Sequence, residues 1–447
     1  MKIVILNYTG NRRNWGCQTT SRNLLSFLQT TFAHVDSFDI EMIPLPAEHP
    51  VDKLVERTHG KRIESIYRQN SPPLLDLKFL EDLVRMRFGQ YADMAQRADM
   101  LVFQGEGSIG PVNHFRGLRL FALPFLAAHS WKKPVYSMNQ TLYATTHKHG
   151  ETLASIFRPF KMVAVREMCS YQFARNIGLS NTVLCPDMAF AEEVYAGQSN
   201  SEKPYFCVVG SAALKLFNLQ TLGKLISRII ELTGLEPLFI YPNKKEKKIF
   251  DKLFPDHRSF ISSVHHNITD ILPVLSSAKF LIGGRYHSAI TALTQGTPVI
   301  LLPGNTFKSE GIGPMLDMSI AVHDAKEIVA IEKEVKHIIT EGDLLRIKII
   351  EAVNRNKQKI ELLSQYFVEL TDNTSPSQQY SDPKYSPLTP EVCEVIDFGK
   401  HHKIYKKQNS NLKYRFKFFA GAALKTCISD AVDDGSIERT FTKFTVT

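Results

Sequence analysis

The segment Phe280–Asn305, FLIGGRYHSAITALTQGTPVILLPGN, sets two glycines, an arginine, a tyrosine and a histidine where an apolar run gives way to a helix-like stretch. Each of these types suits the handling of a small anion. Gly283 and Gly284 let backbone approach a ligand. Arg285 carries a fork of donors that matches a carboxylate or a phosphate. His287 can exchange protons near neutral pH, and the first turn of the following helix favours negative charge. Read one by one, Arg285 could be a structural ion-pair partner and His287 a cap or core histidine. Side by side with Tyr286 at such a seam, they point to a site. Similar seams occur at Asn7 and the loop to Cys17, at Gln104–Ser108 (QGEGS), at Arg166, at Asp187 and at Gly210-Ser211.

These seams need strands to place them. Ile3–Leu6, Met100–Phe103, Pro134–Met138, Met162–Val165 and Val183–Cys185 are short apolar runs, alternating with helix-like segments such as Gln18–Thr31. The alternation restarts with Tyr205–Val209, Leu238–Tyr241, Ala278–Ile282 and Val299–Leu302, with helical spacing in Leu219–Leu232, Lys244–Phe254 and Ala325–Phe367. Strands alternating with helices predict parallel sheets covered on both faces. Two such series predict an α/β protein of two Rossmann-like domains facing a cleft. The predicted domains are 1–195 and 196–370, with a polar boundary near 195–204. Residues 371–447 are read as a linker followed by a basic aromatic tail. Residues 46–75, with four prolines, read as an irregular excursion or short helices. In sheets of this kind ligands bind beyond the carboxyl ends of the strands, where all the seams fall.

The chain has 447 residues, 43% hydrophobic and 22% charged, as suits a soluble globular protein. No stretch reaches the roughly 20 apolar residues of a membrane span. The N-terminus reads as a first strand, not as a signal peptide. Six scattered cysteines without a Cys-x-x-Cys pair argue against a disulfide framework or zinc site, and for a reducing cytoplasm. Residues 400–425 carry eight Lys or Arg and no Asp or Glu, so most of the net charge of +9 belongs to the tail. Aromatics interleave there (Tyr405, Tyr414, Phe416, Phe418, Phe419). That composition suits peripheral contact with an anionic membrane, which would put the protein at the inner membrane face. A nucleic-acid role has no support in the body of the chain, and a helix packed on that body is the plainer alternative.

Four stretches in this order resemble the polysaccharide pyruvyl transferase family. They are NRRNWGCQTTSRNLL (Asn11–Leu25), LVFQGEGSI (Leu101–Ile109), AVREMCSYQFARNIGL (Ala164–Leu179) leading to CPDMAF, and LIGGRYHSAITALTQGTPVI (Leu281–Ile300) with Lys308 beyond. Two departures stand out. Cys17 occupies the place of an acid in the first loop, and Gln104 and Glu106 interrupt a glycine run. The resemblance implies a GT-B-like fold and transfer of pyruvate from phosphoenolpyruvate onto a sugar as a ketal. Phosphoenolpyruvate is then a co-substrate, with no cofactor and no metal required. The donor site it implies comprises Arg166, Arg285, Tyr286 and His287, with Gly283, Gly284 and Lys308 beside them. His287 is the expected acid, and Glu106 is one candidate for the base. On the acceptor side Asn14, Gly16, Gly105 and Asp187 are candidates. Asn14 and Gly16 could equally shape the turn, Asp187 could brace a loop, and Lys308 could be solvated. The expected acceptor is a sugar of a cell-surface glycan or its lipid-linked precursor. A nucleotide-sugar glycosyltransferase and a silent glycan-binding relative are the rival readings. His147, His149, His265 and His266 lack the spacing and carboxylate partners of a metal site.

Overall fold

The structure is a computed structural model that describes residues 1–107, 115–195, 203–211, 219–241, 244–255, 260–262 and 266–371. The predicted linker and basic tail, and most of the predicted 195–204 boundary, lie outside the described residues.

Two parallel sheets organise the chain. The first is built from β1 (Lys2–Tyr8), β2 (Asp39–Pro44), β3 (Met100–Glu106), β4 (Val135–Gln140), β5 (Met162–Val165) and β6 (Thr182–Leu184), in the order β2-β1-β3-β4-β5-β6. The second holds β7 (Tyr205–Ser211), β8 (Glu236–Tyr241), β9 (Phe260–Ser262), β10 (Leu281–Gly284) and β11 (Val299–Leu301), in the order β11-β10-β7-β8-β9. The inner strands read as unbroken apolar runs because helices cover both faces: every residue of β3, β4, β5, β7 and β10 is buried.

Each sheet has a point where the chain reverses its direction of winding. In the first sheet it lies between β1 and β3, and in the second between β7 and β10. A crevice opens at the carboxyl ends of the strands at such a point. The two crevices open onto one shared cavity.

The halves are joined by a common core. One apolar cluster takes in Ile3 and Ile5 of β1, Cys207 and Val209 of β7, Leu281 of β10 and Phe367 near the end of the described chain. The helix Trp15–Thr31 begins at the cleft, and its Trp15 Nε1 donates to the His266 carbonyl at 2.8 Å.

Two expectations are corrected here. Residues 46–75 contain the whole of a long helix, Pro50–Tyr67, and the start of another, Leu74–Phe88. The prolines mark helix starts, with Pro50 in the first turn and Pro73 at the cap, where a missing N–H costs nothing. The span 196–370 also does not stay with the second half. Its last helix, Ile328–Thr371, kinks at Gly342 (φ +47°), and its end returns to the first sheet. There Phe367 packs on Tyr136 at 4.6 Å and on Phe32 at 5.8 Å between ring centres. No helix among the described residues is long and apolar enough to cross a membrane.

Candidate active site

A cavity of about 260 Å³ lies where the two crevices meet. From the first half it is lined by Asn7, Arg12, Asn14, Gly16, Gly105, Glu106 and Arg166, and from the second by Gly284, Arg285, Tyr286, His287 and Lys308. Arg166 and His287, 121 positions apart in sequence, thus meet because two separate strand ends deliver them.

Arg166 leaves the end of β5 and is 1% exposed. Its Nε donates to Thr141 Oγ1 at 2.9 Å, and its Nη1 pairs with Asp187 Oδ2 at 2.7 Å. Its guanidinium lies 4.6 Å from the centre of the Tyr286 ring, and Tyr286 is buried beneath it. Asp187 is itself enclosed, and also accepts from Thr20 Oγ1 and the Ala189 N–H, both at 2.8 Å. Burial pushes its carboxyl up, but Arg166 and then His287 outweigh burial and hold it far below the usual carboxylate range.

His287 stands in the first turn of the helix Tyr286–Thr294. Its Nε2 lies 3.1 Å from Arg166 Nη1 and 3.4 Å from Asp187 Oδ2. Unprotonated, Nε2 can accept from the arginine. Protonated, it can donate to the carboxylate. Either form has a partner, which suits a group that gains and loses a proton.

Arg285 caps that helix and pairs through Nη2 with Glu246, a buried residue of the helix Lys244–Leu253. Gly210 makes this possible, because a Cβ there would collide with the Glu246 carboxylate. Arg285 Nε is buried with no hydrogen-bond partner among the described residues. Lys308 donates to Asn305 Oδ1 at 2.8 Å and sits 5.9 Å from the centre of the Tyr286 ring. Burial, then Arg166 and Arg285 beside it, brings its ammonium group down to about 7.

In the first half Glu106 ends β3 with a left-handed backbone (φ +46°), a strained choice for a side chain of this kind. It accepts from Thr9 Oγ1, from Gln104 Nε2 at 2.6 Å and from Cys17 Sγ at 3.5 Å. Burial raises the Cys17 thiol well above its ordinary range, so the cysteine is a donor here and not a nucleophile. Asn14 caps the helix Trp15–Thr31, its Oδ1 accepting from Gly16 N at 3.0 Å. Gly16 has a packing reason as well, since a Cβ there would strike His287. Gly105 likewise leaves room for the Gln140 amide.

Two sequence expectations change place. Asp187 does not line the cavity: it stands behind Arg166 and His287 as their brace. Gly283 is also outside the lining. Its φ of +152° and its approach to the Val209 carbonyl make it a strand-packing glycine. Sequence reasoning missed Glu246, the carboxylate behind Arg285. Its only sequence signal is a single acid inside the lysine run Lys244–Lys248, which reads as a solvated face. Among the described residues no group of three or more His, Cys, Asp or Glu could hold a metal ion.

Comparisons with known proteins fit this architecture. The chain covers 86% of its own length and 99% of the S. aureus MnaA–UDP co-structure at 12% identity, with a TM-score of 0.52. A putative UDP-N-acetylglucosamine 2-epimerase from Listeria monocytogenes is covered over 99% by 85% of the chain, at 10% identity and a TM-score of 0.55. Anabaena Alr3699/HepE in complex with UDP is covered in full by 83% of the chain, at 11% identity and a TM-score of 0.51. At these identities the likeness is one of fold, and it is the GT-B arrangement of two facing domains. No curated protein matches the chain. The family described as Polysaccharide pyruvyl transferase matches residues 21–305, a span that begins in the first helix and runs past the Arg285–His287 seam. The chain therefore belongs to the polysaccharide pyruvyl transferase family.

Proposed function

We propose that this transferase moves the pyruvyl group of phosphoenolpyruvate onto two hydroxyls of a sugar, releasing phosphate and leaving a cyclic ketal. The acceptor is a sugar of a cell-surface glycan or of its precursor. One observation carries the reading: a single small cavity gathers Arg166, Arg285, Lys308 and His287 from both halves of the molecule. Phosphoenolpyruvate puts a phosphate and a carboxylate on one three-carbon skeleton, and two guanidinium groups from separate halves of the molecule can hold one each.

The chemistry assigns roles within that geometry. The first sugar hydroxyl adds to the central enol carbon while a proton goes to the methylene carbon. His287 supplies that proton, and Glu106 takes the one lost by the hydroxyl. The carbon–oxygen bond to phosphate then breaks with its electron pair on phosphate, leaving an oxocarbenium-like centre. The second hydroxyl adds there, its proton returning to His287, and the ring closes. The cationic wall stabilises the departing phosphate.

Two structures of similar fold are complexes with UDP, which keeps a nucleotide-sugar donor as the competing reading. A thermal-shift comparison separates the two. Phosphoenolpyruvate is expected to raise the melting temperature and UDP-sugars to leave it unchanged, followed by phosphate release when a sugar acceptor is added. Stabilisation by UDP-sugars alone would overturn the proposal.

A further inference from the structure

The first half of the cavity holds two polar groups that the reaction above does not use. Asn7, at the end of β1, is 5% exposed and adopts a left-handed backbone at φ +60°. Its Nδ2 is buried without a hydrogen-bond partner among the described residues. Gln104, in β3, is 1% exposed. Its Nε2 donates to Glu106 Oε1 at 2.6 Å and to Ser21 Oγ at 2.7 Å, which fixes the orientation of the amide. The other end, Gln104 Oε1, is left buried without a partner among the described residues. Both residues line the cavity. They follow directly on the paired positions Leu6 and Phe103 of adjacent parallel strands.

A buried donor or acceptor left unpaired is costly, and folded proteins leave few of them. One donor and one acceptor on neighbouring strands describe the missing partner. A carbonyl would satisfy only Asn7 and an ammonium only Gln104. A hydroxyl satisfies both, since it accepts through a lone pair and donates its own proton. Glu106 stands on the same strand as Gln104, two residues further on.

We propose that Asn7 Nδ2 and Gln104 Oε1 form a hydroxyl subsite that seats the acceptor sugar and selects which of its diols meets Glu106. The subsite sits at the reversal point of the first sheet. This assignment rests on the sugar acceptor of the reading above, but it makes a separate prediction about sugar binding alone.

The test is calorimetric titration of methyl galactopyranoside, glucopyranoside and mannopyranoside, with and without phosphoenolpyruvate, against the parent protein and two variants. Asn7→Asp keeps the shape and tolerates the left-handed backbone while replacing the donor by an acceptor. Asn7→Gly accepts that backbone without strain and removes the amide. Both variants are expected to bind the preferred pyranoside about tenfold more weakly, and Asn7→Gly, which adds no charge, keeps the phosphoenolpyruvate affinity and the melting temperature. Removing one particular hydroxyl from that pyranoside is expected to weaken the parent by a similar factor and to leave both variants indifferent. Equal sugar affinity in parent and variants would overturn the subsite, as would a parent that takes none of the three pyranosides. Asn7-dependent sugar binding in a protein that ignores phosphoenolpyruvate would sink the donor reading and leave the subsite standing.

Discussion

Arg166 and Arg285 face the same cavity, each backed by a buried carboxylate, yet they are held very differently. Arg166 is enclosed: Thr141 fixes its Nε, Asp187 takes Nη1, and Tyr286 lies against its guanidinium. Arg285 keeps 23% of its side chain exposed, meets one carboxylate, Glu246, and has an Nε with no partner among the described residues. The first arginine is a fixed wall whose charge is matched before any ligand arrives. The second retains donors to offer. A site that must grip two anionic groups and then release one of them gains from having one rigid and one adjustable contact.

The sharpest way to break this contrast is to remove the braces. Asp187→Ala strands a buried guanidinium and is expected to cost about 3–5 kcal/mol of stability, seen as a large fall in melting temperature. Glu246→Gln, beside a partly exposed arginine, is expected to lose far less. Equal losses would mean that the two arginines are not held differently. His287→Ala keeps the wall but removes its proton carrier. Turnover should fall roughly a hundredfold or more, while stabilisation by phosphoenolpyruvate persists. A variant that turns over at the parent rate would show that His287 is not the acid. Arg285→Lys replaces a fork with a point charge, and phosphoenolpyruvate affinity should drop about tenfold in a binding titration. The smallest effect concerns pH. Burial and its cationic neighbours bring Lys308 down to about 7, so its ammonium form dominates below that pH and its neutral form above. Donor affinity should therefore weaken as pH rises through about 7. Burial also raises Glu167 and Glu310 to about 7, so they titrate in the same window. Lys308→Met isolates the lysine: if the slope is unchanged in that variant, Lys308 is not its source.

What could be read in the sequence follows from distance along the chain. The inner strands were legible because burial on both faces makes them continuous apolar runs: Met162–Val165 is the same span in sequence and structure. Two of the four edge strands, β2 and β9, were not. Asp39–Pro44 mixes polar with apolar residues at a partly exposed edge, and Phe260–Ser262 is three residues long. The Arg285–His287 seam could be recognised because its parts are adjacent. Its dependence on Asp187 could not, since 100 residues separate them. Glu246 was hidden for the same reason, and because a lysine-rich helix reads as solvent-facing until Gly210 is seen to open a space for its carboxylate. The return of the last helix was likewise invisible, because an amphipathic pattern shows that a face is buried and not which domain buries it.

The apolar cluster that runs from β1 through β7 to Phe367 reaches past the active site to the way the molecule comes apart. Halves that own separate cores melt as independent units. Halves that share one lose their packing together, because unfolding either exposes the other's interior. Heated in a calorimeter, this protein should give a single endotherm.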